Sequence, residues 1–121
     1  MVQHIYTPEE LPKENEKAEL VDFLYNHLDQ YGDSKQDILK AIDYALSSEE
    51  NKGGLIITSH FDSLLTGAVV VNFTGMDGYI PENILVYIAV HENARGKGIG
   101  KKLMNKAIEL ADGDIALHVE P

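Results

Sequence analysis

The chain has 121 residues, enough for one buried core but not two, and its 44% hydrophobic and 25% charged residues are ordinary for a globular domain. It has no cysteine, which excludes disulfides, thiolate metal sites and a thiol nucleophile, and agrees with a cytoplasmic setting. A formal net charge of −10 argues against nonspecific nucleic-acid binding, which depends on Lys and Arg neutralising phosphates.

The N-terminal stretch MVQHIYTPEELPKEN has no basic start followed by an apolar run, so no signal peptide is expected. Residues 14–31 read as a helix, with Leu20, Val21, Leu24, Leu28 and Tyr31 at helical spacing and Gly32-Asp33 as the stop. Ser34 followed by Asp37 resembles a capping box and opens a second helix, striped by Ile38, Ala41, Ile42, Ala45 and Leu46 and ended by Asn51-Lys52-Gly53-Gly54. Residues 55–61 and 64–73 are rich in β-branched and aromatic types, and Asp62-Ser63 between them reads as a hairpin turn. The run 64–71 is interrupted by Thr66 and Gly67 and is too short to span a bilayer, so no membrane is expected.

A loop with Gly75, Asp77, Gly78 and Pro81 follows, and then 84–90, an apolar run suited to a strand covered on both faces. A third helix is expected over 98–111, ended by Asp112-Gly113, and a last strand over 115–119. A strand–helix–strand unit predicts a right-handed crossover between parallel strands, whereas the earlier hairpin is antiparallel. The fold class is therefore α/β (α+β): a mixed, mostly antiparallel sheet with a parallel central pair and flanking helices.

One stretch stands apart, VYIAVHENARGKGIGKKLM. Residues 95–106 hold Arg95, Lys97, Lys101, Lys102 and Lys106, half of the 10 Lys and Arg residues in the chain, and no acid. Gly96, Gly98 and Gly100 fall in the same place. A helix starting near Gly98 leaves its first N–H groups without partners and puts partial positive charge there. Glycines let a bulky anion approach that backbone, and Arg95, Lys97 and Lys101 can add charge-assisted contacts. The stretch is thus a phosphate or pyrophosphate site at the C-terminal end of a buried strand.

Two familiar phosphate loops do not fit. The P-loop requires a hydroxyl after Gly-Lys, but Gly100-Lys101 is followed by Lys102. The dinucleotide fingerprint requires G-x-G-x-x-G directly after a strand, but here the spacing is G-x-G-x-G after a five-residue link, and Glu120 alone does not rescue it. The run Arg95-Gly96-Lys97-Gly98-Ile99-Gly100 instead matches [QR]-x-x-G-x-[GA], and it resembles the coenzyme A signature of the GCN5-related N-acetyltransferase (GNAT) superfamily. The resemblance covers 85–121, and the preceding two helices and antiparallel strands fall in that family's order.

The resemblance implies an acetyl-CoA-dependent N-acetyltransferase made of one domain, residues 1–121, that acetylates a primary amine by direct transfer. The motif amides over Arg95, Gly96, Lys97, Gly98, Ile99, Gly100 and Lys101 would hold the pyrophosphate of coenzyme A. Ile88, Ala89 and Val90 would pair with the pantetheine arm, and an N–H among them would polarise the thioester carbonyl. No general base stands out: Glu82, Tyr87 and His91 are weak candidates, Glu92 beside them reads rather as structural or solvent-exposed, and His118 as a packed or edge position of the last strand. His4, His27, His60, His91 and His118 show no metal-ligand spacing, so no metal is expected.

Members of the family continue past a segment like His118-Val119-Glu120 into another helix, often with a proton-donating tyrosine, and two more strands; a chain without these is expected to be C-terminally short. Its last strand would then be an edge and a seat for a homodimer. A recognisable first strand is also missing, unless Val2 to Tyr6 supplies it. Twelve acids in residues 1–50 would favour a cationic acceptor, either a small molecule or a protein. The alternative function is a coenzyme A-binding regulatory module without turnover.

Overall fold

The computed structural model describes residues 2–28, 34–50, 52–73, 83–111 and 115–117. In chain order these form β1 (Val2–Tyr6), α1 (Glu14–His27), α2 (Lys35–Ala45), β2 (Gly54–Phe61), β3 (Leu64–Phe73), β4 (Asn83–Val90), a 3-10 turn (Glu92–Ala94), α3 (Ile99–Leu110) and β5 (Ile115–Leu117). Val2–Tyr6 does supply a first strand, and β3 has the bounds expected from sequence. Tyr31 to Asp33, Asn51, the loop glycines Gly75 and Gly78, Glu82, Asp112-Gly113 and His118 to Pro121 lie outside the described residues.

Local chemistry explains the helix starts. The Glu16 carboxylate accepts from the Lys13 N–H at 2.8 Å at the head of α1, where Glu14 and Glu16 also suit the helix dipole. Ser34 Oγ accepts from the Asp37 N–H at 3.2 Å at the head of α2, as the capping box implied. The first helix ends earlier than its apolar spacing suggests, at His27, with the Leu28 N–H closing onto the Leu24 carbonyl.

The sheet order is β1-β2-β3-β4-β5, antiparallel through β4, with β4 and β5 parallel. Asp62 and Ser63 both take left-handed backbone angles, φ 50 and 66, so β2 and β3 join through a two-residue turn whose twist suits a hairpin. Two bulges adjust the ladder. Thr66 is the extra residue where Ser59 faces Gly67 and His60 faces Leu65, and Val86 is extra where Val70 faces Tyr87 and Val71 faces Leu85.

The sheet is buried on both faces. On one, Leu20, Phe23, Leu24, Ile38, Ile42 and Ala45 of α1 and α2 pack on Ile56, Ala68, Val70, Tyr87 and Ala89. On the other, Ile99, Leu103 and Ala107 of α3 pack on Leu55, Ile57, Val69, Val71 and Leu85. The closest approach falls at Gly67, where a Cβ would stand 2.8 Å from Leu103 Cδ1 and 3.0 Å from Ile99 Cγ2. A missing side chain on β3 thus seats the first turns of α3 against the sheet, and with them the loop that follows β4.

Candidate functional site

The loop between β4 and α3 takes its shape from two glycines. Gly96 and Gly98 have φ of 84 and 76. Other L-residues would pay roughly 1–2 kcal/mol for such a conformation. A Cβ at either would meet nothing within 4 Å, so conformation rather than space is what calls for glycine. Gly98 is the N-cap of α3 and brings no side-chain cap with it. Its carbonyl accepts from the Lys102 N–H at 3.1 Å. The N–H groups of Ile99, Gly100 and Lys101 therefore lack intrahelical partners and point out of the head of a 12-residue helix. Gly96, Lys97, Gly98 and Lys101 are exposed, Gly100 is half-buried, and only the Ile99 side chain is buried. Such a head can hold a phosphate through main-chain donors and the helix dipole.

The positive charge is narrower than the sequence run suggests. Lys106 pairs with Glu109 at 3.5 Å on the far turns of α3. Among the described residues Lys97, Lys101 and Lys102 have no ion-pair partner. Arg95 folds back, its Nε donating to the Val90 carbonyl at 3.2 Å.

That carbonyl defines the neighbouring edge. The His91 N–H donates to the Thr66 carbonyl at 2.8 Å, and Ala89 stands opposite Ala68 two residues back. Alternation in an antiparallel ladder then aims the main-chain groups of Ala89 at β3 and those of Ile88 and Val90 away from it. Residues Ile115–Leu117 of β5 pair only with Asn83, Ile84 and Leu85, so among the described residues no strand covers the Ile88 and Val90 groups on that side. The side chains of Ile88 and Val90 are half-buried against the α3 core, while Ala89 is buried on the opposite face. The loop and this edge of β4 form one continuous line of main-chain hydrogen-bonding groups.

The acid–base candidates are scattered. Tyr87 is 8% exposed, packed into the core beneath α1 and α2. His91 caps the 3-10 turn, its Nδ1 accepting from the Asn93 N–H at 3.1 Å, and its ring lies 4.5 Å from that of His27. Glu92 is exposed, and Glu82 is among the residues not described. Sequence reasoning did not find the Thr66 bulge that anchors the end of β4, nor the approach of the hairpin residues Phe61 and Leu64 to the loop. The one sequence signal for the latter was two large apolar residues flanking a tight polar turn.

A second cavity, of about 390 Å³, opens between β1, β2 and α1 and is lined by His4, Tyr6, Glu16, Glu19, His60 and Asp62, among others. Burial and the charge of nearby His4 pull His60 below the usual histidine value. Burial and Glu16 push Tyr6 up, whereas the Lys13 N–H holds Glu16 down. Elsewhere the N-terminal acids are partly answered: Lys17 pairs with Asp43, and Lys35 with Asp22 at 3.0 Å. Among the described residues no group of three His, Asp or Glu side chains could hold a metal ion, and no helix is long and apolar enough to cross a membrane.

Comparison with known proteins agrees with this geometry. A solved GNAT-family acetyltransferase from Brucella melitensis, in complex with acetyl-CoA, superposes with a TM-score of 0.61 at 17% identity, over 89% of this chain and 67% of that one. A possible acetyltransferase from Clostridium difficile 630 gives 0.66 at 17% identity, over 99% and 81%. A ribosomal-protein-alanine N-acetyltransferase from Brucella melitensis biovar Abortus 2308 gives 0.60 at 18% identity, over 99% and 81%. At these identities the likeness establishes the fold. No curated protein matches in sequence. The acetyltransferase (GNAT) family model, however, matches residues 21–121, a span that takes in the glycine loop, α3 and every strand but β1. On that match the chain belongs to the GNAT acetyltransferase family.

Proposed function

We propose that residues 1–121 act in the cytoplasm as one N-acetyltransferase domain that moves the acetyl group of acetyl-CoA to a primary amine. The observation that carries this reading is the run of unpartnered amides at Ile99, Gly100 and Lys101, opened by left-handed Gly96 and Gly98 and set beside the free edge of β4. The amides would hold the pyrophosphate, with Lys97 and Lys101 adding charge and Arg95 steadying the loop. Ile88 would pair with the pantetheine arm through its outward N–H and carbonyl and Val90 through its N–H, the Val90 carbonyl being held by Arg95 Nε, and Ala89 would hold the strand in place from the other side. An N–H among Ile88 to Val90 would polarise the thioester carbonyl. The neutral amine nitrogen then attacks that carbonyl: its C–N bond forms as the C–S bond breaks, the sulfur leaves as thiolate, and the one proton that the nitrogen loses passes through solvent to the thiolate, giving amide and coenzyme A thiol. The acceptor amine would be favoured by the acidic N-terminal half, including the cavity carrying Glu16, Glu19 and Asp62.

The test is calorimetric titration with acetyl-CoA, followed by thiol release over a panel of monoamines, polyamines and N-terminal peptides. Heat with acetyl-CoA together with amine-dependent thiol release supports the reading; no heat at millimolar levels ends it. The second reading is a coenzyme A-binding module without turnover, favoured by the burial of Tyr87 and the committed Nδ1 of His91. Binding without acetylation of any amine would select it. β5 is an edge of the described sheet, and a second copy is the partner we assign to it.

A further inference from the structure

On the side away from β5 the sheet ends at β1. The Phe73 N–H donates to the Gly53 carbonyl at 2.8 Å, which turns the main-chain groups of Gly53 towards β3. By alternation those of Ile56, Thr58 and His60 point the other way, to their register partners Tyr6, His4 and Val2 on β1. Gln3 and Ile5 therefore aim their N–H and carbonyl groups away from the sheet, and no strand among the described residues covers them. The free edge stops at Thr7, which exchanges main-chain hydrogen bonds of 3.1 and 3.0 Å with Glu10. Val2–Tyr6 has none of the usual guards of such an edge: no lysine, no acid, no proline and no bulge against β2. Val2 is 59% exposed and Ile5 36%.

We infer that a second copy of this chain occupies the β1 edge, its own β1 running antiparallel across a two-fold axis at His4. The main-chain pattern selects that register. With Gln3 opposite the second copy's Ile5, and Ile5 opposite its Gln3, every free N–H and carbonyl of the edge finds a partner. Moving the axis to Ile5 sets Gln3 against Thr7, whose groups are already held by Glu10. The side chains agree. On the α1 face Val2 stands opposite the second copy's Tyr6, a β-branched residue against an aromatic one. On the other face Gln3 lines a groove with Lys102, Asn105, Lys106 and Glu109 of α3. The axis reverses α3, so the Lys102 end of one groove meets the Glu109 end of the other, opposite in sign. The strands add no formal charge to a contact between chains of net charge −10. The cavities lined by Val2, His4 and Tyr6 then open side by side across the axis. This contact is separate from the one assigned to β5 and closes a dimer by itself.

The experiment follows sedimentation of the natural chain, of His4→Glu and His4→Lys alone, and of the two variants mixed, each over a dilution series. His4 is exposed, and only an axis at this residue sets the introduced charges face to face. The natural chain sediments as a dimer, and like charges in either variant weaken it by about a hundredfold. Mixing the variants restores a mixed dimer, which also shows that both are folded. Gln3→Pro deletes only an outward N–H, so it too weakens the dimer while the thermal transition stays. In the natural dimer the Gln3 and Ile5 amides exchange with deuterated solvent at least about tenfold more slowly than after dilution, while those of His4 and Tyr6, already paired with β2, do not change. A natural chain that is monomeric at every concentration overturns the inference, as do mixed variants that stay apart. A dimer in which the Gln3 and Ile5 amides gain no protection also overturns it and belongs to another edge. Acetyl-CoA binding by a monomeric chain leaves the proposed function standing.

Discussion

Arg95 Nε donates to the carbonyl of Val90 at 3.2 Å, so the only arginine in the chain clasps the last residue of β4 across the start of the glycine loop. The guanidinium thereby joins the two halves of the candidate site, the strand edge and the helix head. Arg95→Ala should weaken acetyl-CoA binding by about 1–3 kcal/mol, the scale of a hydrogen bond to a charged group. Part of that loss should persist near 1 M salt, where the screening length is about 3 Å, because the lost clasp loosens the loop whether or not the charge is screened. Calorimetry at two ionic strengths separates the parts. Arg95→Lys should recover only the salt-sensitive one, since an ammonium cannot reproduce the planar fork.

Gly98 and Gly100 should respond oppositely to alanine. At Gly98 the left-handed backbone makes Ala cost about 1–2 kcal/mol of stability. At Gly100 a Cβ would lie in ordinary contact, 3.5 Å from Val90 Cγ2, within the first turn of α3. Gly100→Ala should keep the fold, gaining up to about 1 kcal/mol from helix propensity, while the methyl crowds the gap between strand end and helix head. Its melting temperature should stay level or rise as its affinity for acetyl-CoA falls. Unchanged affinity would place the ligand elsewhere.

Gly67→Ala should injure the site from a distance. The new methyl meets Leu103 Cδ1 at 2.8 Å and Ile99 Cγ2 at 3.0 Å, and Leu103 is fully buried. Overpacking of this kind costs about 1–3 kcal/mol. It should also lift the first turns of α3 from β3, so urea midpoint and acetyl-CoA affinity should drop together.

Acid should weaken the fold first through His60. Its value in the folded chain lies below the ordinary 6.5, because burial and His4 disfavour the charged ring. The unfolded chain therefore binds the proton more readily, and the stability His60 contributes is full above about pH 6.5 and lost as the pH falls towards the folded value. Glu16 adds a second loss at lower pH, below its ordinary 4.5, when the carboxylate that caps α1 is protonated. Thermal unfolding between pH 8 and pH 5 should show the first loss, and His60→Gln should flatten it. A variant with the same slope as the natural chain would assign the slope to other groups.

Much of this architecture was readable without coordinates because its causes are local. Ser34 declares a cap through its own hydroxyl, Asp62-Ser63 declares a turn, and Gly98 declares a backbone angle that side chains resist. The shape of the loop at the candidate site was legible for the same reason. Other features depend on partners distant in sequence. The Val86 and Thr66 bulges belong to strand pairing, which no single strand encodes. Tyr87 was a weak candidate on an apolar strand, and a sheet covered on both faces gives no local sign of which side a residue takes; the helices α1 and α2 enclose it. Phe61 and Lys97 line one cleft only because β3 and β4 run antiparallel and bring the hairpin tip to the strand's exit.

The Thr66 bulge has a mechanical consequence. Its hydroxyl is tied to Ser59 by contacts of 2.8 and 3.1 Å, and its carbonyl holds the amide of His91. Any tug on the hairpin tip is therefore transmitted through one peptide unit to the residue from which the glycine loop departs. The His91 amide is a built-in gauge: its exchange with deuterated solvent should slow when a ligand stills the glycine loop, registering occupancy without a label.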